Sequence, residues 1–235
     1  MIFSSKSNVT LVITSCNRFD LLKKTLESFS KKNTYPIKEI IIIEDSGNPK
    51  IRNIIPNQWL DNTKLIINEK NLGQIKSIDL AYQEVKTDYI FHCEDDWLFD
   101  QPIQIEEYIN ILKDDSSATS IVLRKLSDFS FTEEEFNKIQ FIQNSDITTA
   151  KLTKLHDQWH GFTFNPHISP ITMWKATQGF QNFKKERHIS RWFRKRNQYN
   201  LFLKNGVCHH IGWENSLANP PKTTWWQKTK AKIFG

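Results

Sequence analysis

The sequence is poor in the residues that cross-link, anchor or loosen a chain. Its 235 residues hold three cysteines, Cys16, Cys93 and Cys208, far apart along the chain. Three scattered thiols exclude a disulfide scaffold and a four-ligand zinc site, and they suit a reducing compartment, so the expected location is the cytoplasm. They read as small apolar fillers. No run approaches the roughly 18 to 20 apolar residues of a membrane span, and Met1 to Ser7 lacks the basic-then-apolar order of a signal peptide. Glycine numbers seven, and these form neither a Gly-x-x-x-x-Gly-Lys loop nor a Gly-x-Gly-x-x-Gly fingerprint. That speaks against P-loop kinases and dinucleotide enzymes. Internal repeats and Gly/Ser linkers are missing as well, so one domain over residues 1–235 is expected.

Apolar and aromatic residues are plentiful: 38% of the chain is hydrophobic, with 16 Phe and 8 Trp, which excludes a disordered protein. The net charge of +6 is unevenly spread. Residues 181–235 carry 12 Lys/Arg against Glu186 and Glu214, so the remainder of the chain is net acidic. An anionic partner is implied for the C-terminal quarter, with nucleic acid, phosphorylated ligand and membrane surface all open.

The first half alternates between two periodicities. Strands are predicted at 9–14, 39–44, 64–67 and 88–93, each a short β-branched or apolar run. Helices are predicted at 20–29, where Leu22, Leu26 and Phe29 recur at helical spacing, and at 74–85. Such alternation predicts a mostly parallel sheet with helices on its faces. Ligands then bind beyond the carboxyl ends of the strands. Those ends hold Ser15-Cys16-Asn17-Arg18, Asp45-Ser46-Gly47, Asn68 to Gly73, and Glu94-Asp95-Asp96. The second half predicts a helix at 104–112, a strand at 119–124, a short helix at 133–139, a structured loop at 159–170, a basic helix at 187–202 and a strand at 207–212.

The acidic triplet is the most informative motif. Three adjacent carboxylates repel one another and are costly to gather unless a cation joins them. Oxygen ligands of this kind suit Mg2+ or Mn2+, which in turn suit a diphosphate. A solvated acidic turn is the plain alternative, weakened by the apolar strand before it and by Trp97-Leu98-Phe99 after it.

In order, LVITSCNR, IIIEDSG, NLGQIKSIDLA and DYIFHCEDDW resemble the donor half of a GT-A glycosyltransferase close to family 2. The likeness is good over about residues 8–100 and looser beyond. It implies an α/β GT-A fold with a mostly parallel mixed central sheet flanked by helices. About residues 1–100 would form the donor half, 101–220 the acceptor half and 221–235 a basic aromatic tail. By the same resemblance Thr14, Ser15, Asn17 and Arg18 lie beside the nucleotide, Asp45 holds its base, and Asn71, Gly73 and Gln74 line nucleotide or sugar. Glu94, Asp95 and Asp96 match the metal-binding D-x-D motif, with Glu where Asp is commoner. Asp96, Glu94 and a late histidine, His210 rather than His209, would hold Mn2+ or Mg2+. The donor expected is UDP- or GDP-linked.

An inverting reaction needs a carboxylate to take the acceptor's proton. In the family that the sequence resembles this base lies near the start of a helix in the acceptor half, and Glu186 fits that position, with Asp157 the second candidate; a surface ion pair is the plain reading of Glu186. Trp159, His160 and Phe162 could build an acceptor platform, although aromatics are more often core. The acceptor would be a glycan, a lipid-linked glycan or a protein. Lys184 to Arg196, with seven Lys/Arg and one Glu, could meet the donor diphosphate, an anionic acceptor or lipid phosphates. The tail around Trp225 and Trp226 is written as a peripheral membrane contact would be, against a solvated basic tail. Competing readings are a nucleotidyltransferase on a similar sheet, which lacks its usual glycine-rich loop here, and a basic nucleic-acid-binding protein. The net acidic first part of the chain disfavours the latter, and no nucleic-acid partner is expected.

Overall fold

The computed structural model describes residues 1–157 and 159–212. The first half contains β1 (Val9–Ser15), α1 (Phe19–Lys32), β2 (Glu39–Glu44), β3 (Thr63–Ile67), α2 (Gln74–Gln83), β4 (Tyr89–Glu94), β5 (Trp97–Phe99) and α3 (Ile105–Asp114). Parallel pairing gives the order β3-β2-β1-β4. These strands run without polar alternation because helices cover both their faces. Leu11, Ile13, Ile40, Ile42 and Phe91 face one side and pack with Leu22, Leu26 and Phe29 of α1 and Tyr108 and Leu112 of α3. Val12, Ile41, Ile43 and Ile90 face the other and pack with Ile78, Ala81 and Tyr82 of α2.

The second half adds β6 (Ala118–Val122), α4 (Glu133–Phe136), β7 (Gln140–Asn144), β8 (Ile147–Lys151), β9 (His167–Pro170), α5 (Ile171–Thr177), α6 (Glu186–Arg194), β10 (Tyr199–Leu203) and β11 (Cys208–His210). The complete sheet runs β3-β2-β1-β4-β9-β6-β10-β8-β7. Only β9 and β8 oppose the other strands. The sheet is therefore mixed and mostly parallel, as expected.

Several second-half elements differ from the sequence reading. The basic helix stops at Arg194, not residue 202. Asn197 takes a left-handed φ of 57°, its N–H donates to Arg194 O, and Gln198 N–H reaches back to Phe193 O at 3.0 Å. This is a Schellman-type end, which an asparagine can supply, and Tyr199 to Leu203 then enters the sheet as β10. The expected loop at 159–170 gives up its last four residues to β9, which joins β4 to β6. The helix expected over 133–139 closes after one capped turn, with Thr132 and Glu135 forming a capping box. The strand expected to reach Arg124 ends at Val122.

Residues 213–235 lie outside the described residues, and with them the tail and its expected membrane contact. Among the described residues no helix is long and apolar enough to cross a membrane.

Candidate active site

The order β3-β2-β1-β4 puts a switch point between β1 and β4, where chain connections diverge to opposite sides and leave a crevice at the strand ends. A cavity of about 440 Å³ lies there. Its walls are Thr14, Ser15, Cys16 and Arg18 after β1, Asp45 after β2, Asn71, Gly73, Gln74 and Ser77 around the start of α2, the triplet Glu94-Asp95-Asp96 after β4, and His210. Twelve of these wall residues come from the first 100 positions; His210, 114 residues beyond Asp96 in sequence, closes the site from the second half.

A two-stranded sheet makes that closure. β11 pairs antiparallel with β5, so His210 lies opposite Trp97 and His209 opposite Leu98. Successive strand side chains point to opposite faces. His210 Nε2 therefore meets Asp96 Oδ2 at 2.9 Å, while His209 Nδ1 turns to Asp100 Oδ2 at 3.3 Å. Behind the pair, a Cβ on Gly212 would fall 2.5 Å from Asp96 Oδ2. Gly212→Ala must therefore push the carboxylate out of line. The expected result is loss of the Asp96–His210 contact with little change in unfolding temperature, measured by the His210 imidazole NMR resonances and by thermal unfolding.

Helix α1 fixes the acidic segment from the other side. Thr25 Oγ1 donates to Asp95 O at 2.9 Å and accepts from Trp97 N–H at 3.2 Å. Arg18 spans two of the carboxylates, with one terminal nitrogen on Asp95 and the other on Asp96 at 2.6 Å. Burial opposes ionisation of Asp96, but His210 and Arg18 hold its carboxyl below the usual range. Burial pushes Asp95 up to about 6 despite Arg18. Burial first, then repulsion from Asp96, pushes Glu94 up to about 8. Glu94 turns its two oxygens to Gln74 Nε2 at 2.5 Å and Trp97 Nε1 at 3.2 Å.

Two further carboxylates organise the loops. Glu44, fully buried at the end of β2, accepts from Asn17 N–H at 2.9 Å and Ser46 N–H at 3.0 Å. It was missed as a site residue; its signal is a carboxylate closing an otherwise apolar strand. Asp45 accepts from Leu72 N–H and Gly73 N–H, each at 2.8 Å, and from Asn68 Nδ2 at 2.7 Å. It thus clamps the 68–73 loop against β2, beside the cavity in which it was expected to hold a base. Asn17 does not line the cavity: its side chain accepts from Asn48 at 2.8 Å, and its φ of 57° turns the chain out of β1. Asn71 Nδ2 reaches Cys16 Sγ at 3.4 Å. Cys16, part of the strand end expected to meet a ligand, lines the wall, and Ser77 is a wall residue that the sequence reading did not place.

In the second half, α6 binds the 153–164 segment along one stripe of its surface. Glu186, Ser190 and Arg194 recur at i, i+4 and i+8, hence on one face. Glu186 Oε2 accepts Phe164 N–H at 3.1 Å. Ser190 Oγ accepts Gly161 N–H and Phe162 N–H at 2.9 and 3.2 Å. Arg194 donates to Asp157 O, Trp159 O and Thr153 O at 2.9, 3.1 and 2.8 Å. Burial raises the Glu186 carboxyl above its ordinary value, and Glu186 lies near enough to Glu94 to raise it further. The carboxyl expected as the base thus lies within electrostatic reach of Glu94 in the wall of the switch-point cavity and is no surface ion pair among the described residues.

Asp157 is elsewhere. It lines a separate cavity with Arg191, Arg194 and Lys195, so the structure does not bring it to the strand ends. Of the proposed platform, Phe162 is fully buried and packs against Phe164, Phe180 and Phe193. It is core because its turn of chain points inward under α6. His160 is also buried, and burial pushes its imidazole down to about 3. Trp159, 43% exposed, is the platform ring that remains available.

The family model for glycosyl transferase family 2 matches residues 10–169. The chain belongs to that family. Its fold is GT-A. The solved structures similar to it include the mannosyltransferase PcManGT from Pyrobaculum calidifontis in complex with GDP-Man and Mn2+, with a TM-score of 0.63 at 11% identity over 97% of this chain and 65% of that one. Another is S. aureus TarS 1-349, at 0.61 and 12% identity, covering 88% of this chain and 61% of that one. A third is GalNAc-T7 with UDP, GalNAc and Mn2+, at 0.65 and 14%, covering 92% and 46%. The chain thus spans less than two thirds of the length of each. No curated protein matches the sequence. The family match includes all four strand ends and stops short of Glu186 and His210, whose placement rests on the fold.

The side chains present fit a divalent ion in part. Asp96 Oδ1 is buried with no hydrogen-bond partner, next to an imidazole, and a carboxylate-imidazole pair suits Mn2+. Arg18 already draws positive charge to the same carboxylates. Among the described residues, however, no three His, Cys, Asp or Glu side chains gather at metal-binding spacing. The expected trio is not assembled, because Glu94 is taken by Gln74 and Trp97. Asp96 and His210 would be the protein's ligands, with diphosphate oxygens and water completing the shell.

Proposed function

We propose that the chain moves a glycosyl group from a UDP- or GDP-linked donor, with Mn2+ or Mg2+, to a hydroxyl of a glycan, lipid-linked glycan or protein, inverting the anomeric centre. The observation that carries this reading is the Asp96–His210 contact of 2.9 Å in the wall of the switch-point cavity. A divalent ion on that pair would neutralise charge on the departing diphosphate. Arg18 adds a fixed positive charge beside it. The first turn of α2, from Gln74 to Ser77, opens on the same cavity, and helix N-termini favour phosphate. Asp45 holds the 68–73 loop where it can meet the nucleotide. In the transfer the bond from the anomeric carbon to the phosphate oxygen breaks while one to the acceptor oxygen forms. Glu186 takes the acceptor's proton, and burial helps it by raising its proton affinity toward neutral pH. Trp159 offers a face for the acceptor.

The test is product analysis over a panel of UDP- and GDP-sugars with Mn2+ or Mg2+. Release of the nucleoside diphosphate from one donor, only with metal, is expected. Release of pyrophosphate from a nucleoside triphosphate with a sugar phosphate would instead establish a nucleotidyltransferase.

A further inference from the structure

A second cavity, of about 660 Å³, lies at the C-terminal end of α6. Lys151, Arg191, Arg194 and Lys195 line it against a single carboxylate, Asp157. None of these residues lines the switch-point cavity. Among the described residues no ion pair involves Lys151, Arg194 or Lys195. Arg194 is held by three carbonyl oxygens, Asp157's included, so its charge is fixed in place without being neutralised. Lys151 Nζ sits 3.4 Å from the centre of the Tyr199 ring. Burial lowers its proton affinity, the Asp115 carboxylate partly offsets this, and like charge from Lys154 lowers it further.

Cations at a helix C-terminus often serve the helix dipole and its open carbonyls. Here that work is done without the cavity's side chains: Lys195, Asn197 and Gln198 N–H bond Arg191 O, Arg194 O and Phe193 O at 3.1, 3.0 and 3.0 Å, and Arg196 donates to Trp192 O at 3.1 Å. Lys151 and Lys195 are left for another anion, beside the fixed charge of Arg194. Their position relative to the reaction is also fixed. Eight steps along α6 separate Arg194 in the cavity wall from Glu186, about 12 Å by the helical rise. The 153–164 segment is tied along that same helix face, with Trp159 between the two ends.

We propose that this cavity is an anionic subsite for the acceptor, which would be a phosphate-bearing saccharide whose charged group docks among Lys151, Arg191, Arg194 and Lys195 while its hydroxyl reaches Glu186. The acceptor assignment rests on the transferase reading above. The experiment titrates inorganic phosphate, with chelator present, into the unaltered chain and into Lys195→Glu, Lys151→Gln and Asp96→Ala, by calorimetry, with thermal unfolding as the fold control. Saturable binding is expected, weakened about fivefold or more in folded Lys195→Glu and Lys151→Gln and unchanged in Asp96→Ala. Equal binding by all four chains, or none by the unaltered chain, overturns the subsite. Cosedimentation with phosphatidylglycerol and phosphatidylcholine vesicles separates the sources. No capture by either is expected, and capture by phosphatidylglycerol that Lys195→Glu abolishes overturns the saccharide in favour of a lipid headgroup. Phosphate binding by the unaltered chain, when that same chain binds neither UDP nor GDP with Mn2+ or Mg2+, would sink the transferase reading and its acceptor while leaving the anion site.

Discussion

Asp96→Ala is expected to abolish metal-dependent nucleotide binding and to lower donor turnover by about three orders of magnitude. The reason lies in how few protein ligands the site offers. Glu94 is engaged by Gln74 and Trp97, and Asp95 by Arg18 and the Cys16 N–H. Asp96 is the carboxylate that touches His210 and keeps one buried oxygen without a partner. Its removal leaves the imidazole alone, and Arg18 retains Asp95, so the fold should survive. Calorimetry with UDP and GDP, with and without Mn2+, reads the effect. Metal-dependent affinity retained in Asp96→Ala would remove it from the metal site.

Glu186→Gln is expected to lower kcat by about two to four orders of magnitude with nucleotide binding intact. Glutamine can still accept the Phe164 N–H, so the 153–164 segment stays tied to α6, but it cannot take a proton. Two pH signatures follow from the raised proton affinity of Glu186. In activity, the base must be ionised, so the rate falls as pH drops through a value above the ordinary carboxylate range, and Glu186→Gln erases that limb. In stability the sign is opposite. The stabilisation tied to the protonated carboxyl is fully present below its unfolded-state pKa and is lost as pH rises through the folded value. Glu186→Gln should therefore match the unaltered chain at low pH and exceed it above that window. Unfolding temperatures across pH check this, and a variant that is less stable and still active would assign Glu186 a structural role only.

The donor half was legible because its signals are redundant. Short β-branched runs such as Ile40 to Ile43 favour strands buried on both faces, and the ends of the four runs fell within about a residue of the observed ones. Carboxylates at Asp45 and Asp96 stood out by breaking those runs. The second half carries weaker signals. β5 and β11 have three residues each, too short for a period, yet their pairing alone explains why His210 meets Asp96 while His209 faces Asp100. β10 was hidden inside a basic helix because its stop signal is one left-handed asparagine, Asn197, with no glycine or proline to mark it. Phe162 looked like an accessible ring in a loop of Trp, His and Phe. Composition cannot tell that Ser190 draws the backbone of Gly161 and Phe162 inward and buries the ring. Glu186 was legible as a carboxylate beginning a helix, whereas its half-buried setting beside the returning Phe164 backbone had no signal in the sequence.

Thermal unfolding of the chain with UDP, GDP and the other nucleoside diphosphates, each with Mn2+, with Mg2+ and with chelator, tests the central claim most directly. At ligand about a hundredfold above its dissociation constant, binding adds about 2.7 kcal/mol of stability, or roughly 5 to 10 °C for a chain of this size. An upward shift of that order for one nucleotide, present only with the divalent ion and lost in Asp96→Ala, is the expected result. No shift with any nucleotide, or an equal shift in chelator and in Asp96→Ala, would contradict a metal-assisted donor site at Asp96 and His210.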